Sequence, residues 1–329
     1  MQTGVLIRRG FYLFVLLLFA LSLFGMVVTG PVVVRVPRLE LEIEPSPGNL
    51  RRDVERLCDD YSPRSWRDTG KLDGAAIWIA RELEETGLEV RLQEYEIDGR
   101  VYRNVVARRS GNDPDAPAIV VGAHYDTVEG TPGADDNASG VAVLLELART
   151  LPAVATGRTH YFVAFSTEEP PFFGSERMGS RLFARELVEQ GTEVLLMVSL
   201  DMVGYFSDAR GSQRFPSPLL RLLYPGRGNF LAIIGDMKSG EGIERAKRGL
   251  MAAGRLPVHS FRAPASTELV HLSDHASFRR HEIQAVQITD TAFMRNPHYH
   301  RAEDTPEKLD YERMAEVVRS LHGILWEGD

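Results

Sequence analysis

Three short apolar runs in this chain stop at residues that carry charge or bind metals. Residues 118–123, Ala-Ile-Val-Val-Gly-Ala, run into His124-Tyr125-Asp126; residues 161–165, Tyr-Phe-Val-Ala-Phe, run into Ser166-Thr167-Glu168-Glu169; and residues 195–200, Leu-Leu-Met-Val-Ser-Leu, stop at Asp201. Runs of this length without polar alternation read as strands buried on both faces. Sites in open α/β sheets form at the carboxyl ends of such strands, so the pattern delivers imidazole and carboxylate groups to one edge of a sheet.

Helical stretches separate these strands. Asn49–Tyr61 has Leu50, Val54 and Leu57 on one face with Asn49 as its cap; Asp73–Thr86 is closed by Gly87; Val141–Leu151, Arg181–Glu189, Glu241–Ala253 and Tyr311–Trp326 follow. Leu88–Tyr95, Val101–Ala107, Phe230–Gly235 and Ala285–Thr289 read as further strands. Strands alternating with helices predict an α/β fold with a mainly parallel sheet. Residues 206–229, rich in Gly, Pro, Ser and Arg, read as a long surface insertion.

The N-terminus adds a different element. Phe11 to Val28 is an 18-residue run without a charge, preceded by Arg8 and Arg9. As a helix at ~1.5 Å per residue it is long enough to cross the hydrocarbon core of a bilayer, and the arginines favour a cytoplasmic N-terminus. Val28-Thr29-Gly30 followed by Pro31 is a poor cleavage context, so an uncleaved anchor is preferred over a signal peptide removed from a secreted form. The expected organisation is a cytoplasmic N-terminus at 1–10, a transmembrane signal anchor at 11–29, a proline-broken linker at 30–47 and a catalytic domain at 48–329, outside the cytoplasm at the cell surface or in the periplasm.

With 329 residues and a formal charge of −8, the chain has no basic field for nucleic acid. Its single cysteine, Cys58, excludes an intrachain disulfide and a cysteine-rich zinc site. Metal ligands must therefore be imidazoles and carboxylates. His124-x-Asp126 offers a ligand and a carboxylate placed to orient it. Asp135 and Asp136 stand side by side among small residues in Gly133-Ala134-Asp135-Asp136-Asn137-Ala138-Ser139-Gly140, where a cation is the simplest reason to keep two repelling acids. Glu168-Glu169 suits metal-assisted hydrolysis, one carboxylate ligating and the other moving a proton. Asp201 ends a buried strand, and Asn296-Pro297-His298-Tyr299-His300 supplies His300, with His298 second to it. These donors are too many for one open tetrahedral site; with one carboxylate bridging, a pair of metals about 3.5–4 Å apart can each take three protein ligands.

As a set, these motifs, in this order, resemble the M28 zinc metallopeptidases, over about residues 49–320. Ser273-Asp274-His275 with Phe278 also resembles a family segment near the substrate pocket. The resemblance implies a three-layer α/β/α sandwich with a mixed, mainly parallel sheet and two Zn²⁺ per chain. It implies His124 and Asp201 on one zinc, Glu169 and His300 on the other, Asp135 bridging, Glu168 as general base and acid, Asp126 orienting His124, and a cis peptide at Asp135–Asp136. Aminopeptidase action on peptides with a free N-terminus is its commonest activity. Pro170-Pro171-Phe172-Phe173 departs from the short Gly-containing turn of many members and alters the pocket wall. Glutaminyl cyclases share the fold with one zinc and are the alternative; a metal-free surface binding module is the alternative of a different class.

Overall fold

The structure, a computed structural model, describes residues 19, 21–31, 36–152 and 157–326. Its centre is an eight-stranded mixed sheet in the order β1-β2-β4-β3-β5-β8-β6-β7. The strands are β1 (Glu89–Ile97), β2 (Arg100–Arg109), β3 (Ala118–His124), β4 (His160–Phe165), β5 (Val194–Leu200), β6 (Leu231–Asp236), β7 (Val258–Ala263) and β8 (Ala285–Thr289). β1 and β2 form a hairpin whose turn residues Asp98 and Gly99 both have positive φ, 51° and 78°, the conformation that matches the twist of a tight hairpin.

The central strands β4, β3, β5 and β8 run parallel. Their register aligns the ends predicted to carry ligands: His124 pairs with Phe165, Gly122 with Ser199, and Ser199 with Gln287. The segments beyond His124, Phe165 and Leu200 therefore leave the sheet side by side. Gly122 is required in β3, because a Cβ there would fall 2.3 Å from the ring of Phe165. Strand β7 has no counterpart in the sequence-based assignment; it is a half-buried edge strand whose Val-His-Ser-Phe-Arg-Ala run lacks a continuous apolar signal.

Helices cover both faces. On one side lie α1 (Pro47–Asp60), α2 (Thr69–Glu84), α3 (Gly140–Arg149), α5 (Gly240–Ala253) and α7 (Tyr311–Trp326), contributing Leu57, Ile79, Leu144, Leu250 and Leu321 to the larger core. On the other lie α4 (Gly179–Glu189) and the short α6 (His275–Arg279), whose Phe183 and Phe278 pack against Val120, Phe165 and Met197. α1 starts earlier than expected: Ser46, not Asn49, is the cap, its Oγ accepting the Asn49 N–H at 3.2 Å, with Pro47 in the first turn. A proline there loses no helical hydrogen bond and already has helical φ. α2 likewise begins before Asp73, because the Asp68 carboxylate accepts the Lys71 N–H at 3.1 Å.

Of the predicted membrane span at 11–29, residues 11–18 and 20 lie outside the described residues. Residues 21–29 are helical, and among the described residues no helix is long and apolar enough to cross a membrane.

Candidate metal centre

The strand-end residues converge on one buried carboxylate, that of Asp136. Its Oδ1 lies 3.3 Å from His124 Nε2 and its Oδ2 lies 3.0 Å from His300 Nε2. Asp201 Oδ1 is 3.8 Å from His124 Nε2, and Glu169 Oε2 is 3.4 Å from His300 Nε2. The donors thus fall into two sets that share Asp136: His124 with Asp201, and His300 with Glu169. Nitrogen and oxygen atoms of His124, Asp136 and Glu169 lie within 4.8 Å of one another, close enough to hold one ion.

Asp135, the expected bridge, points elsewhere. Its Oδ1 accepts the Gly204 N–H at 3.0 Å and its Oδ2 accepts from Asn296 Nδ2 at 2.7 Å. Burial and the neighbouring Asp290 carboxylate push the Asp135 carboxyl well above its ordinary range. The backbone explains the exchange of roles. Residues Ala134–Ser139 form an irregular turn in which Asp136 (φ −110°, ψ 87°) and Asn137 (φ −135°, ψ 38°) leave the helical region, so adjacent side chains diverge. The cis peptide also lies one bond later than expected, at Asp136–Asn137. Gly133 opens the turn at φ 63°, where a Cβ would meet Asp136 O at 2.4 Å.

Most members of the cluster are held by groups outside it. Asp126 does more than face His124. The His124 Nδ1 is 3.1 Å from the Asp126 carbonyl oxygen and 3.6 Å from its carboxylate, while the carboxylate oxygens accept the N–H groups of Glu168 at 3.1 Å and Glu169 at 3.0 Å. Asp126 therefore fixes the turn that separates the two glutamates. Gln287 Nε2 donates to Asp201 Oδ2 at 3.2 Å. Asp304 accepts the backbone N–H of Asp135 at 3.0 Å and of Asp136 at 3.1 Å. Arg64, fully buried, donates to the carbonyls of Tyr125 (2.7 Å), Leu57 (2.8 Å), Pro132 (3.0 Å) and Gly133 (3.0 Å), bracing the loop after β3 against the turn that carries Asp136. Thr167, Met202 and His300 adopt φ of 60°, 56° and 59°, a left-handed conformation uncommon for residues other than glycine and frequent where a site constrains its backbone.

Sequence reasoning left Asp136 without a role of its own and gave none to Asp304, Arg64 or Gln287. Asp136 stood in the motif already singled out; nothing local marks Arg64 or Gln287, whose partners are distant in the chain.

The electrostatics suit a bound cation. Burial pushes the Glu169 carboxyl up to about 7, with the Asp136 charge adding to it. Burial also raises Glu168 well above its ordinary range; the His124 charge opposes this and the Glu169 charge reinforces it. Burial opposes ionisation of Asp136 too, yet its bonds to His124 and His300 outweigh that and hold it below the usual carboxylate range. Burial disfavours a charged His300, but Asp136 and Glu169 lift it to about 10. Glu169 Oε1 is buried with no hydrogen-bond partner. Buried carboxylates are costly unless paired or bound to metal, and mixed nitrogen and oxygen donors with room for further ligands suit zinc. The residues present fit the metal.

The cluster forms one end of a pocket whose remaining wall is mostly apolar, including Phe215, Leu220, Phe230, Ile234, Phe261 and Phe293. The 206–229 insertion, read from sequence as surface, supplies part of this wall through Gln213, Phe215, Leu220 and Tyr224. Pro170 and Phe173 line it as well. Of the 269–278 segment, Leu269 and Leu272 reach the pocket, whereas Asp274 and His275 are fully buried and Phe278 packs in the smaller core.

Residues 104–324 match the model of Peptidase family M28. The chain is 39% identical to the uncharacterized protein YfbL of Escherichia coli K12 over 85% of its own length and 88% of that protein. It is 26% identical to a probable leucine aminopeptidase of Trichophyton verrucosum, over 85% of this chain and 72% of the relative. Among solved structures, a zinc aminopeptidase from Bacillus subtilis superposes with a TM-score of 0.70 at 16% identity, covering 87% of this chain and 96% of the other. The glutaminyl cyclase of Porphyromonas gingivalis superposes with a TM-score of 0.65 at 22% identity, covering 88% and 100%. At these identities the structural likenesses speak for the fold alone.

Proposed function

The chain belongs to peptidase family M28, and from that premise we propose that it is a dizinc aminopeptidase that removes the N-terminal residue of peptides. The observation that carries this reading is the pair of donor sets meeting at Asp136. His124 and Asp201 would hold one zinc, His300 and Glu169 the other, and Asp136 would bridge them. Bound there, zinc supplies Lewis acidity toward water and toward the carbonyl of the scissile bond.

The remaining chemistry belongs to the chain. Glu168 lies beside the ligands, with Oε2 3.9 Å from His124 Nε2. Its backbone is pinned by Asp126 so that its carboxylate and that of Glu169 take separate tasks. Burial raises its proton affinity, which suits a group that takes a proton from the attacking water and returns it to the departing amine. The apolar pocket wall receives the side chain of the residue removed and excludes water from the reacting bond.

The uncharged run Phe11–Val28 supports a further part of the reading: an N-terminal membrane anchor with the catalytic domain outside the cytoplasm. Hydrolysis of aminoacyl-anilides, suppressed by chelator and restored by zinc, tests the peptidase reading. Zinc counted per chain separates it from its neighbour in fold: two supports the aminopeptidase, whereas a fully loaded single zinc with cyclisation of N-terminal glutamine would replace it.

A further inference from the structure

The last turn of the helical segment 21–29 is tied to the catalytic domain through its carbonyls. Arg262 Nε donates to Val27 O at 2.6 Å and Ser260 Oγ donates to Thr29 O at 2.7 Å, both from β7. Lys247 Nζ of α5 donates to Pro31 O at 3.2 Å. The final carbonyls of a helix have no partner within it, and cations there favour the helix dipole. Gly25 lies against the 218–224 turn, where a Cβ would come 3.1 Å from Leu223 Cδ2. The segment is docked on the β7 edge, not loosely tethered to it.

Its outward flank exposes Leu23, Phe24 and Met26, continuing from Phe19. Beside it, Leu222 is 76% exposed, the barest large apolar side chain of the described residues. The surrounding insertion, 206–229, carries exposed Arg210, Arg214, Arg221 and Arg227 against a single acid, Asp208, in a chain of net charge −8. Exposed apolar side chains in and beside a segment this rich in arginine, on an otherwise acidic protein, match the chemistry of an anionic lipid surface. Ser260 and Leu220 also line the pocket that leads to the ligand cluster.

We propose that, where the helix of 21–29 leaves an anionic bilayer, the 218–224 turn beside it lies on the lipid surface and holds the substrate pocket next to the membrane. The proposal rests on the reading of residues 11–28 as an anchor, and its test separates the two. The full-length protein, in a Cys58→Ala background, is given a single cysteine by Phe19→Cys, Leu222→Cys or Leu92→Cys and labelled with a polarity-sensitive fluorophore. It is reconstituted into phosphatidylcholine–phosphatidylglycerol vesicles carrying a nitroxide either midway along the acyl chain or near its headgroup end. The label at 19 should lose about half its emission or more to the mid-chain nitroxide, as a spanning helix requires, and the label at 222 as much to the headgroup-end nitroxide, as expected for a surface seated roughly 5–10 Å into the interface. The label at 92, on β1 at the opposite edge of the sheet, should be unchanged. Quenching at 19 without quenching at 222 overturns the lipid-facing edge while the anchor stands. No quenching at 19 overturns the anchor and the proposal with it. Equal quenching at 222 and 92 also overturns it, because no fixed face would then meet the lipid.

Discussion

Asp136 Oδ2 lies 3.0 Å from His300 Nε2, joining the turn before α3 to a loop near the C-terminus. The contact exists because Asp304, a few residues beyond His300, takes the backbone N–H groups of Asp135 and Asp136. One C-terminal loop thus supplies both a donor and the clamp that orients the carboxylate facing it.

The two aspartates of that turn should separate in a metal-binding assay. Asp136→Asn is expected to weaken zinc binding by more than about a hundredfold, beyond the 10–100-fold typical of residues that only support a ligand. Asp135→Asn gives up one of the two hydrogen bonds accepted from Gly204 and Asn296, because an amide has one acceptor oxygen, but leaves the Asp136 carboxylate in place and should cost no more than the ~10–100-fold of a supporting residue. Titration with a competing chelator reads both. Equal losses would mean that the divergence of the two side chains does not assign the bridge.

Glu168→Gln preserves shape and removes the proton carrier. It should lower kcat by about 10²–10⁴ while KM and zinc content stay near wild type. A variant that keeps full activity would remove Glu168 from the chemistry.

Arg64 braces two loops of the candidate site through the carbonyls of Tyr125, Pro132 and Gly133 and ties them to α1 through that of Leu57. Arg64→Met leaves buried acceptors unpaired and should cost about 3 kcal/mol or more, since hydrogen bonds from charged donors contribute ~1.5–3 kcal/mol each. Arg64→Lys should not rescue it, because a compact ammonium cannot span the fork of a guanidinium. Urea denaturation gives the stability, and zinc affinity in the same variants shows whether the loops have moved.

His322 provides a pH-dependent contribution far from the metal. It is fully buried; its Nε2 lies 2.8 Å from Thr150 Oγ1, which itself donates to Glu146 O, and its Nδ1 has no partner. Burial, with the Arg319 charge adding, lowers its pKa to about 4. Folding therefore excludes a proton that the unfolded chain binds below about 6.5. The stabilisation from keeping this ring neutral is complete above that pH and is lost as pH falls toward 4. Relative to His322→Gln, the wild type should lose about 2 kcal/mol between pH 7 and 4.5. Denaturation midpoints of both proteins across that range check the sign; a constant difference between them would refute it.

The strand ends that carry the candidate donors were legible in the sequence because burial on both faces leaves a continuous apolar run, and the first polar residue after such a run marks the sheet edge. His124 and Asp201 follow that rule, while Glu168 and Glu169 stand just past Ser166 and Thr167, and the register of β3, β4 and β5 sets these strand ends side by side. The α/β class followed from the same alternation of strands and helices. Strand β7 escaped notice because an edge strand is only half buried.

Sequence alone thus determined the chemistry of the donors and the edge where they gather, since both follow from residue type and apolar length. Only the tertiary structure decided that Asp136 rather than Asp135 faces the histidines, for the direction of neighbouring side chains depends on backbone angles set by remote partners. The same holds for Arg64, Gln287 and the 206–229 insertion. Their roles come from hydrogen bonds and packing to residues far away in the chain, and no local pattern encodes a contact whose other half lies elsewhere.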